Sequence, residues 1–400
     1  MRFSALTNRI AGEGADAWMV HELAVERLAA GDDIILLSIG DPDFDTPATI
    51  RAAAVEALNG GRTHYSPIGG EPHFRAAIAE HTRRTLGIEV SPEQVTVFPG
   101  AQAALFAVAQ CLFEPGDEVI AAEPTYVTYE AVLGAPGARM VQVPLRPENL
   151  FHLEPDALER AITLRTRGML LNFPHNPTGA CLTIGEAAAV AGLCHKHDLW
   201  CISDEVYASL DFGQPHHSPL SLPGMMDRGI LISSLSKSHA MTGWRCGWAV
   251  TPLALARHLD RLALAMFFGV AQFIQDAGAV AVGSSGDDGA RIRASYQHRA
   301  RVVVDALDGA PGVSARMPDA GMYVFADIRG TGFDGKQFAR GLLDSEGVSV
   351  TPGEGFGASG AGHVRMTLGV AEDRLSEACR RIARYAGALA RTAVAPVAST

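Results

Sequence analysis

Lys237 stands among residues whose types could hold a phosphate group and carry out amine chemistry. It is one of only three lysines in a chain that otherwise uses arginine, and it lies in the segment SSLSKSHAMTGWRCG at 233–247. Ser234 and Ser236 offer hydroxyl donors, and Arg245 offers a second cation. Such a set could bind a phosphate. The segment therefore predicts an amine placed beside a phosphate site.

An amine beside a phosphate site suggests a cofactor that carries both an aldehyde and a phosphate. Pyridoxal 5′-phosphate meets both requirements, because a lysine amine forms a Schiff base with it and its ring then accepts electrons. Asp204 follows the apolar run LWCIS, and we expect it at the carboxyl end of a parallel strand, where ligands bind. There it would keep the ring nitrogen protonated, although Asp204 and Glu205 could instead cap a helix.

Four more segments could complete this site. Tyr207 and Asn176, in SDEVY and NFPHNPTGA, could each donate a hydrogen bond to the phenolic oxygen of the cofactor. In VTVFPGAQAALFAVAQ a strand, a glycine and an Ala-rich helix follow one another. The first-turn amides of that helix would cradle the phosphate; they belong to Gly100, Ala101 and Gln102. Tyr126 in EPTYVTY offers a ring that could stack on the cofactor, although core packing would also account for it.

These segments need a scaffold that brings strand ends together. The central region alternates short apolar runs with Ala/Leu-rich stretches, which predicts an α/β fold with a mostly parallel sheet and helices on both faces. The break GSSGDDG at 283–289 suggests a large domain at 46–290 and a smaller α+β domain made of 1–45 and 291–400. The predicted strands are 94–98, 118–122, 140–144, 169–173, 200–203, 230–233 and 245–250 in the large domain, and 321–327 and 363–368 in the small one.

The composition excludes several classes of protein. A net charge of −11 without a basic run argues against nucleic-acid or membrane-surface partners. The six cysteines form no CxxC pair, so we expect reduced thiols and a cytoplasmic location. About 18 uninterrupted apolar residues occur nowhere, so we expect neither export nor a membrane span. The histidines of CHKHD are spaced by two, which does not put them on one helix face, and no metal site is expected.

The order of these motifs resembles the class I aminotransferases of the aspartate aminotransferase superfamily, which have fold type I among pyridoxal-phosphate enzymes. The similarity covers nearly the whole chain and runs through SIGDPDFDTP, YSPIGGEPHFRAAI, PGAQAAL, EPTY, NFPHNPTG, SDEVY, SLSKSHAMTGWRCGW and HVRMTLG. It implies a three-layer αβα large domain with a seven-stranded sheet. It also implies transfer of an amino group from an L-amino acid to a 2-oxo acid by a ping-pong mechanism.

The resemblance assigns roles to individual residues. It implies that Lys237 holds the cofactor and acts as the base, that Asp204 meets the ring nitrogen, and that Arg365 binds the substrate α-carboxylate. Asn176 and Gly40 would also contact the substrate. The remaining assignments are Tyr207 and Asn176 on the phenolic oxygen and Ser234, Arg245, Ala101 and Gln102 on the phosphate. Tyr65 would reach the phosphate of a neighbouring subunit, which implies a homodimer with shared active sites.

The substrate is less constrained by the sequence. Within the family, IAGEGADAW, EPTYVTYEAV and QFIQDA most resemble enzymes that pass the amino group of L-arginine to pyruvate. A cationic substrate would need acidic partners, for which Glu13, Asp16 and Asp43 are candidates. The alternatives are an aspartate or aromatic aminotransferase and a carbon–sulfur β-lyase on the same scaffold. A transcription regulator or a non-catalytic relative fits the sequence less well.

Overall fold

The computed structural model describes residues 2–11, 18–284 and 287–394 of the 400-residue chain. Its strands are β1 (Ile35–Leu36), β2 (Val95–Phe98), β3 (Glu118–Glu123), β4 (Arg139–Pro144), β5 (Thr166–Asn172), β6 (Trp200–Asp204), β7 (Gly229–Ser234), β8 (Gly247–Val250), β9 (Tyr323–Asp327), β10 (Val348–Ser349), β11 (Thr351–Pro352) and β12 (His363–Thr367). Its α-helices are α1 (Leu6–Arg9), α2 (Met19–Ala29), α3 (Ala48–Asn59), α4 (Pro72–Leu86), α5 (Ala101–Leu112), α6 (Tyr129–Gly134), α7 (Pro155–Ala161), α8 (Ile184–Lys196), α9 (Leu253–Met266), α10 (Gln272–Gly283), α11 (Asp287–Leu307), α12 (Gly335–Glu346) and α13 (Glu372–Val394).

The largest sheet in the described residues has seven strands in the order β2-β8-β7-β6-β5-β3-β4. Strand β8 runs antiparallel to both of its neighbours, and the pairs from β7 across to β4 are parallel. The central strands are apolar and buried, as expected where helices cover both faces of a sheet. The predicted α/β class with a mostly parallel seven-stranded sheet is confirmed.

Parallel strands bring their carboxyl ends to one edge of the sheet, and this edge carries several candidate residues. Asn172 ends β5, Asp204 ends β6 and Ser234 ends β7. Asn172 lies opposite Asp204 in the strand register, and Asp204 lies opposite Ile232. Polar groups that are far apart in the chain therefore become neighbours where an open α/β sheet binds its ligands.

A smaller α+β region completes the chain. Strands β11, β12 and β9 form an antiparallel sheet, and β1 pairs with β10 in parallel. Apolar side chains from 20–37 pack in the same core as those from 292–386, so segments from the two ends of the chain share one core. The division at residues 46 and 290 stays a prediction, and helix α11 runs across position 290.

One predicted strand begins too early. The sequence pattern predicts a strand from Arg245, whereas β8 begins at Gly247. Arg245 has a φ of 53°, which lies in the left-handed region that a β-strand does not use. The chain therefore turns at Arg245 before it enters the sheet, and the guanidinium Nη2 lies 3.5 Å from the backbone oxygen of Pro99.

Candidate active site

Lys237 lies three residues beyond β7 and lines a cavity of about 340 Å³ at the carboxyl edge of the sheet. Its Nζ donates a hydrogen bond to the backbone oxygen of Gly40, 2.5 Å away. The acceptor is a neutral carbonyl group, so this hydrogen bond does not place an opposite charge beside the amine. An aldehyde held in the cavity could reach this amine.

Asp204 lines the same cavity from the end of β6. Its side chain is buried, and burial raises the pKa of its carboxyl group to about 6. Tyr129 donates a hydrogen bond to Oδ2 at 2.7 Å, and the backbone amide of Val206 lies 3.4 Å from Oδ1. Both donors are neutral. A buried carboxylate of this kind is suited to receive a cation from a ligand.

Tyr129 was not found by the sequence analysis, although it lies three residues after Tyr126 in the same quoted segment. It begins helix α6 and is almost fully buried. Tyr126 is half-buried and lines the cavity, with its ring edge-on to Tyr129 at 5.6 Å between centroids. The sequence pattern could not separate the two tyrosines, because their roles depend on how α6 packs against β6.

The start of helix α5 forms a narrow cradle. Gly100 has a φ of 87°, and a Cβ atom added there would lie 2.4 Å from Nη2 of Arg245. A Cβ atom added at Gly247 would lie 2.6 Å from the backbone nitrogen of Ala101. Only glycine fits at these two positions. Backbone amides at a helix N-terminus and a nearby guanidinium are thereby held together, which suits an anion.

Other predicted phosphate contacts lie around this cradle. Ala101, Gln102, Ser234, Ser236 and Arg245 all line the cavity, and Gly100 precedes them at the helix start. The Arg245 Nη1 donates to the backbone oxygen of Thr242 at 2.8 Å. The structure thus brings together the residues that were predicted to hold a phosphate.

Asn176 and Tyr207 are both buried and line the cavity. The Asn176 amide nitrogen of the backbone donates to Oδ1 of Asn172 at 3.1 Å. Burial raises the pKa of Tyr207 well above its usual value, so its hydroxyl keeps its proton at neutral pH. This hydroxyl donates to the hydroxyl oxygen of Tyr323 at 3.3 Å. Tyr323 escaped the sequence analysis because its contact with Tyr207 comes from a distant part of the chain. The same holds for Asn172, whose side-chain amide also donates to the backbone oxygen of Asp204 at 3.0 Å.

Arg365 occupies the middle of β12 and is 4% exposed. Its guanidinium donates to Oδ1 of Asn176 at 3.1 Å and to the backbone oxygen of Ser38 at 2.9 Å. It lies over the ring of Tyr323 at 4.3 Å and over that of Phe356 at 4.9 Å. Its buried Nε has no hydrogen-bond partner among the described residues. A buried guanidinium with a free donor is suited to a carboxylate.

Tyr65 lies apart from the cavity lining of its own chain. It is 81% exposed, and its ring lies 4.7 Å from that of Phe268, which is also exposed. A role for Tyr65 in a neighbouring subunit stays a prediction.

Of the three acids predicted to bind a cationic substrate, the structure describes only Asp43. Glu13 and Asp16 lie outside the described residues. Asp43 forms a two-point ion pair with Arg299 at 2.6 and 2.9 Å, so its carboxylate is already engaged within the chain. Asp41 lines the cavity instead and accepts a hydrogen bond from the hydroxyl of Thr242 at 2.7 Å. The sequence analysis had quoted Asp41 in SIGDPDFDTP without assigning it a role.

The residues at this site fit pyridoxal 5′-phosphate. The cradle at Gly100 would hold the phosphate, and the buried carboxylate of Asp204 would receive the cationic ring nitrogen. Lys237 would bind the aldehyde, and Asn176 and Tyr207 could donate to the phenolic oxygen.

Within the described residues, no group of three or more metal-ligating side chains gathers at one place. None of the helices in the described part of the chain combines the length and the hydrophobicity of a membrane span.

Comparisons with known proteins agree with this geometry. The aminotransferase class I and II family matches residues 32–382. The chain is 53% identical over 389 residues to arginine–pyruvate transaminase AruH of Pseudomonas aeruginosa, covering 97% of this chain and 99% of that protein. It is 36% identical over 359 residues to an aspartate aminotransferase of Pyrococcus horikoshii, covering 89% and 92%.

Solved structures show the same fold. An aspartate aminotransferase of Thermus thermophilus with maleate superimposes with a TM-score of 0.90 at 33% identity, covering 96% of this chain and 100% of that one. A Pyrococcus protein superimposes with a TM-score of 0.92 at 34% identity, covering 98% and 100%.

Proposed function

Since the chain belongs to the class I and II aminotransferase family and is therefore a transaminase, we propose that it uses pyridoxal 5′-phosphate on Lys237 to pass the amino group of L-arginine to pyruvate. The observation that carries the cofactor assignment is the shared cavity. Lys237, the buried carboxylate of Asp204 and the cradle around Arg245 line it together.

Each residue of the cavity has a distinct task in this proposal. Lys237 would hold the cofactor through its amine and, once that amine is free, would take the proton from the substrate Cα. A general base of this kind typically contributes about 10² to 10⁴ in rate. Arg365, which contacts the cavity-lining Asn176, orients the substrate through its α-carboxylate. Gly40 and Asn176 line the cavity itself. Tyr126 provides a flat ring beside the cofactor.

The cofactor, when bound, supplies an electron-accepting ring that stabilises negative charge at the substrate Cα. Asp204 sustains this property by keeping the ring nitrogen protonated. Tyr207 contributes a hydroxyl that keeps its proton at neutral pH, so it can act as a donor. Ser234, Ser236, Ala101 and Gln102 serve the phosphate end together with Arg245.

Two observations favour a cationic amino donor. The cations that line the described cavity are Lys237 and Arg245, and both are committed to the cofactor in this proposal, so neither is left for an acidic side chain. Asp41 supplies a carboxylate at the same cavity. The similarity to a protein named arginine–pyruvate transaminase points in the same direction.

A panel of amino donors tests the substrate assignment. Purified enzyme loaded with pyridoxal 5′-phosphate is mixed with arginine, aspartate, alanine or an aromatic amino acid, and the loss of visible cofactor absorbance is measured without an acceptor. We expect arginine to give the highest kcat/KM, and pyruvate to restore the absorbance in a ping-pong pattern. A preference for aspartate or an aromatic donor would contradict the arginine assignment. Pyruvate with ammonia formed from cystathionine without an acceptor, with release of the thiol, would indicate the β-lyase.

The assembly and location are part of the same proposal. A homodimer belongs to this proposal, and the exposed rings of Tyr65 and Phe268, 4.7 Å apart, are accessible for a contact with the second chain. A cytoplasmic location is supported by the six cysteines, all of which are unpaired.

A further inference from the structure

Tyr323 touches three parts of the candidate active site that come from different regions of the chain. It begins β9 and is buried at 4% exposure. Its ring faces Arg365, its hydroxyl faces Tyr207, and the same hydroxyl lies against Gly40. None of the roles proposed above uses this residue.

The rings of Tyr323 and Phe356 both lie against the guanidinium of Arg365. The guanidinium carbon lies 4.3 Å from the centroid of Tyr323 and 4.9 Å from that of Phe356. Two aromatic faces restrict the tilt of a planar cation and attract it electrostatically. The direction in which Arg365 presents its donors to a carboxylate therefore depends on both rings.

The hydroxyl of Tyr323 serves a different set of contacts. It lies 3.3 Å from the hydroxyl of Tyr207. A Cβ atom added at Gly40 would lie 1.7 Å from it, so the backbone at Gly40 rests directly on this oxygen. Gly40 in turn accepts the hydrogen bond from Lys237 at 2.5 Å. A phenylalanine would fill the same core space without making the polar contact.

We propose that Tyr323 is a positioning residue that sets the substrate clamp with its ring and the cofactor-side donor with its hydroxyl. The ring holds Arg365 in the plane that receives the α-carboxylate. The hydroxyl accepts from Tyr207 in the ligand-free protein. Because hydroxyl protons rotate, Tyr323 becomes the donor when the proton of Tyr207 turns towards the phenolic oxygen of the cofactor. This inference rests on the proposed function.

A chain of two hydroxyls makes the outer donor stronger, because each hydrogen bond polarises the next. A stronger donor stabilises negative charge on the phenolic oxygen and lowers the pH at which the bound cofactor loses its proton. Removing the Tyr323 hydroxyl should therefore raise that pH. Removing the ring should instead weaken carboxylate binding.

Three variants separate these two tasks. Tyr323→Phe keeps the ring and removes the hydroxyl, Tyr323→Leu removes both, and Phe356→Leu removes only the second ring. Each is loaded with pyridoxal 5′-phosphate, and its fold is checked by its melting temperature. The readouts are a pH titration of the visible absorbance and the inhibition constant of hexanoate, a carboxylate that cannot react.

For Tyr323→Phe we expect the absorbance transition to move up by about 0.3 to 1 pH unit with hexanoate inhibition unchanged. For Phe356→Leu we expect the reverse pattern, an unchanged transition and hexanoate inhibition weakened about 3- to 30-fold. Tyr323→Leu should show both effects. If that variant does not fold, the other two still test one task each.

Two results would overturn the inference. An unshifted transition in Tyr323→Phe would show that the hydroxyl only fills space, and unchanged inhibition in Phe356→Leu and Tyr323→Leu would show that the rings do not set Arg365. Failure of the proposed function looks different, because wild-type protein would then show no visible absorbance with the cofactor.

Discussion

The carboxylate of Asp204 destabilises the ligand-free protein when it is charged. Its pKa is raised to about 6 by burial, whereas an aspartate in the unfolded chain titrates near 3.9. Between these two values the folded protein binds more protons than the unfolded chain, so the free energy of unfolding falls as pH rises through about 4 to 6 and stays lower above pH 6. In the proposed function, the cationic ring nitrogen of the cofactor would offset this loss of stability.

Asp204→Asn should therefore stabilise the ligand-free protein at pH 7.5, by up to about 3 kcal/mol. Asparagine can still accept the hydrogen bond from Tyr129, so the packing is retained. Urea unfolding of ligand-free protein at pH 7.5 and at pH 5 measures the effect, which should shrink at the lower pH. In the loaded enzyme the same variant should lose most of its activity. A variant that is destabilised without cofactor at pH 7.5 would contradict this account of the site.

Asp41 is the residue at which substrate choice can be tested. Asp41→Asn removes its charge and should raise the KM for arginine about 10-fold, because a guanidinium would lose an ionic partner at a partly solvated site. The KM for citrulline, a neutral analogue of similar shape, should stay nearly unchanged.

Asp45→Asn is the matched control, since that side chain is 90% exposed on the same segment and lies 3.7 Å from Arg51. Equal losses for arginine and citrulline in Asp41→Asn would assign Asp41 a structural role, through its hydrogen bond from Thr242.

Among the structural elements, the strand-to-helix turn before α5 has a strict requirement for glycine at position 100. Gly100→Ala would place a Cβ atom 2.4 Å from the Arg245 guanidinium in addition to straining a φ of 87°. We expect the dissociation constant for pyridoxal 5′-phosphate to rise at least about 10-fold, because the cradle must open to accept the methyl group. Absorbance titration measures this constant.

Gly116→Ala supplies the control for backbone strain. Gly116 has a φ of 101° and nothing within 4 Å of an added Cβ atom, so alanine there is strained in the backbone but meets no steric contact. It should lower the melting temperature without changing cofactor affinity. Equal cofactor affinity in Gly100→Ala and Gly116→Ala would show that the cradle does not bind the phosphate.

The elements that end in polar residues could be predicted from sequence because the signal is local. An apolar run followed by Asp204 or Ser234 marks a strand and its carboxyl end, and parallel pairing then places the two side by side. The turn at Arg245 could not be predicted, because a left-handed φ is uncommon for an arginine and has no local signal in the sequence.

Contacts across the chain account for the other residues that sequence reasoning missed. Tyr129 and Asp204 are 75 positions apart, and Tyr207 and Tyr323 are 116 apart. Each tyrosine looks like an ordinary core residue in its own segment. The ion pair of Asp43 could not be predicted for the same reason, since its partner Arg299 lies 256 positions away.

At the scale of the whole molecule, Tyr65 tests whether two chains share each site. If Tyr65 serves the neighbouring subunit, each site combines Lys237 of one chain with Tyr65 of the other. Tyr65→Ala and Lys237→Ala then affect one site through different chains. Unfolding and refolding the two variants together should then give more activity than the sum of the separately refolded variants, because a mixed dimer contains one site with both native residues. Light scattering after gel filtration measures the assembly itself.

A monomer in that experiment would contradict the proposed homodimer. Activity equal to the sum of the variants, with dimers present, would show that Tyr65 does not act across the interface. Tyr65→Phe is a useful companion variant, because it keeps the ring against Phe268 and removes only the hydroxyl.

The central claim is that Lys237 binds the cofactor aldehyde, and the lysine content of the chain allows a direct test. The chain contains only Lys196, Lys237 and Lys336, so a reduced cofactor can be assigned to one of three peptides. Wild-type enzyme loaded with pyridoxal 5′-phosphate is reduced with borohydride, digested and examined by mass spectrometry, with Lys237→Ala as the control. We expect the modification on the Lys237 peptide and none in the folded control variant. A modification of Lys196 or Lys336 in place of Lys237, or of no lysine, would contradict it.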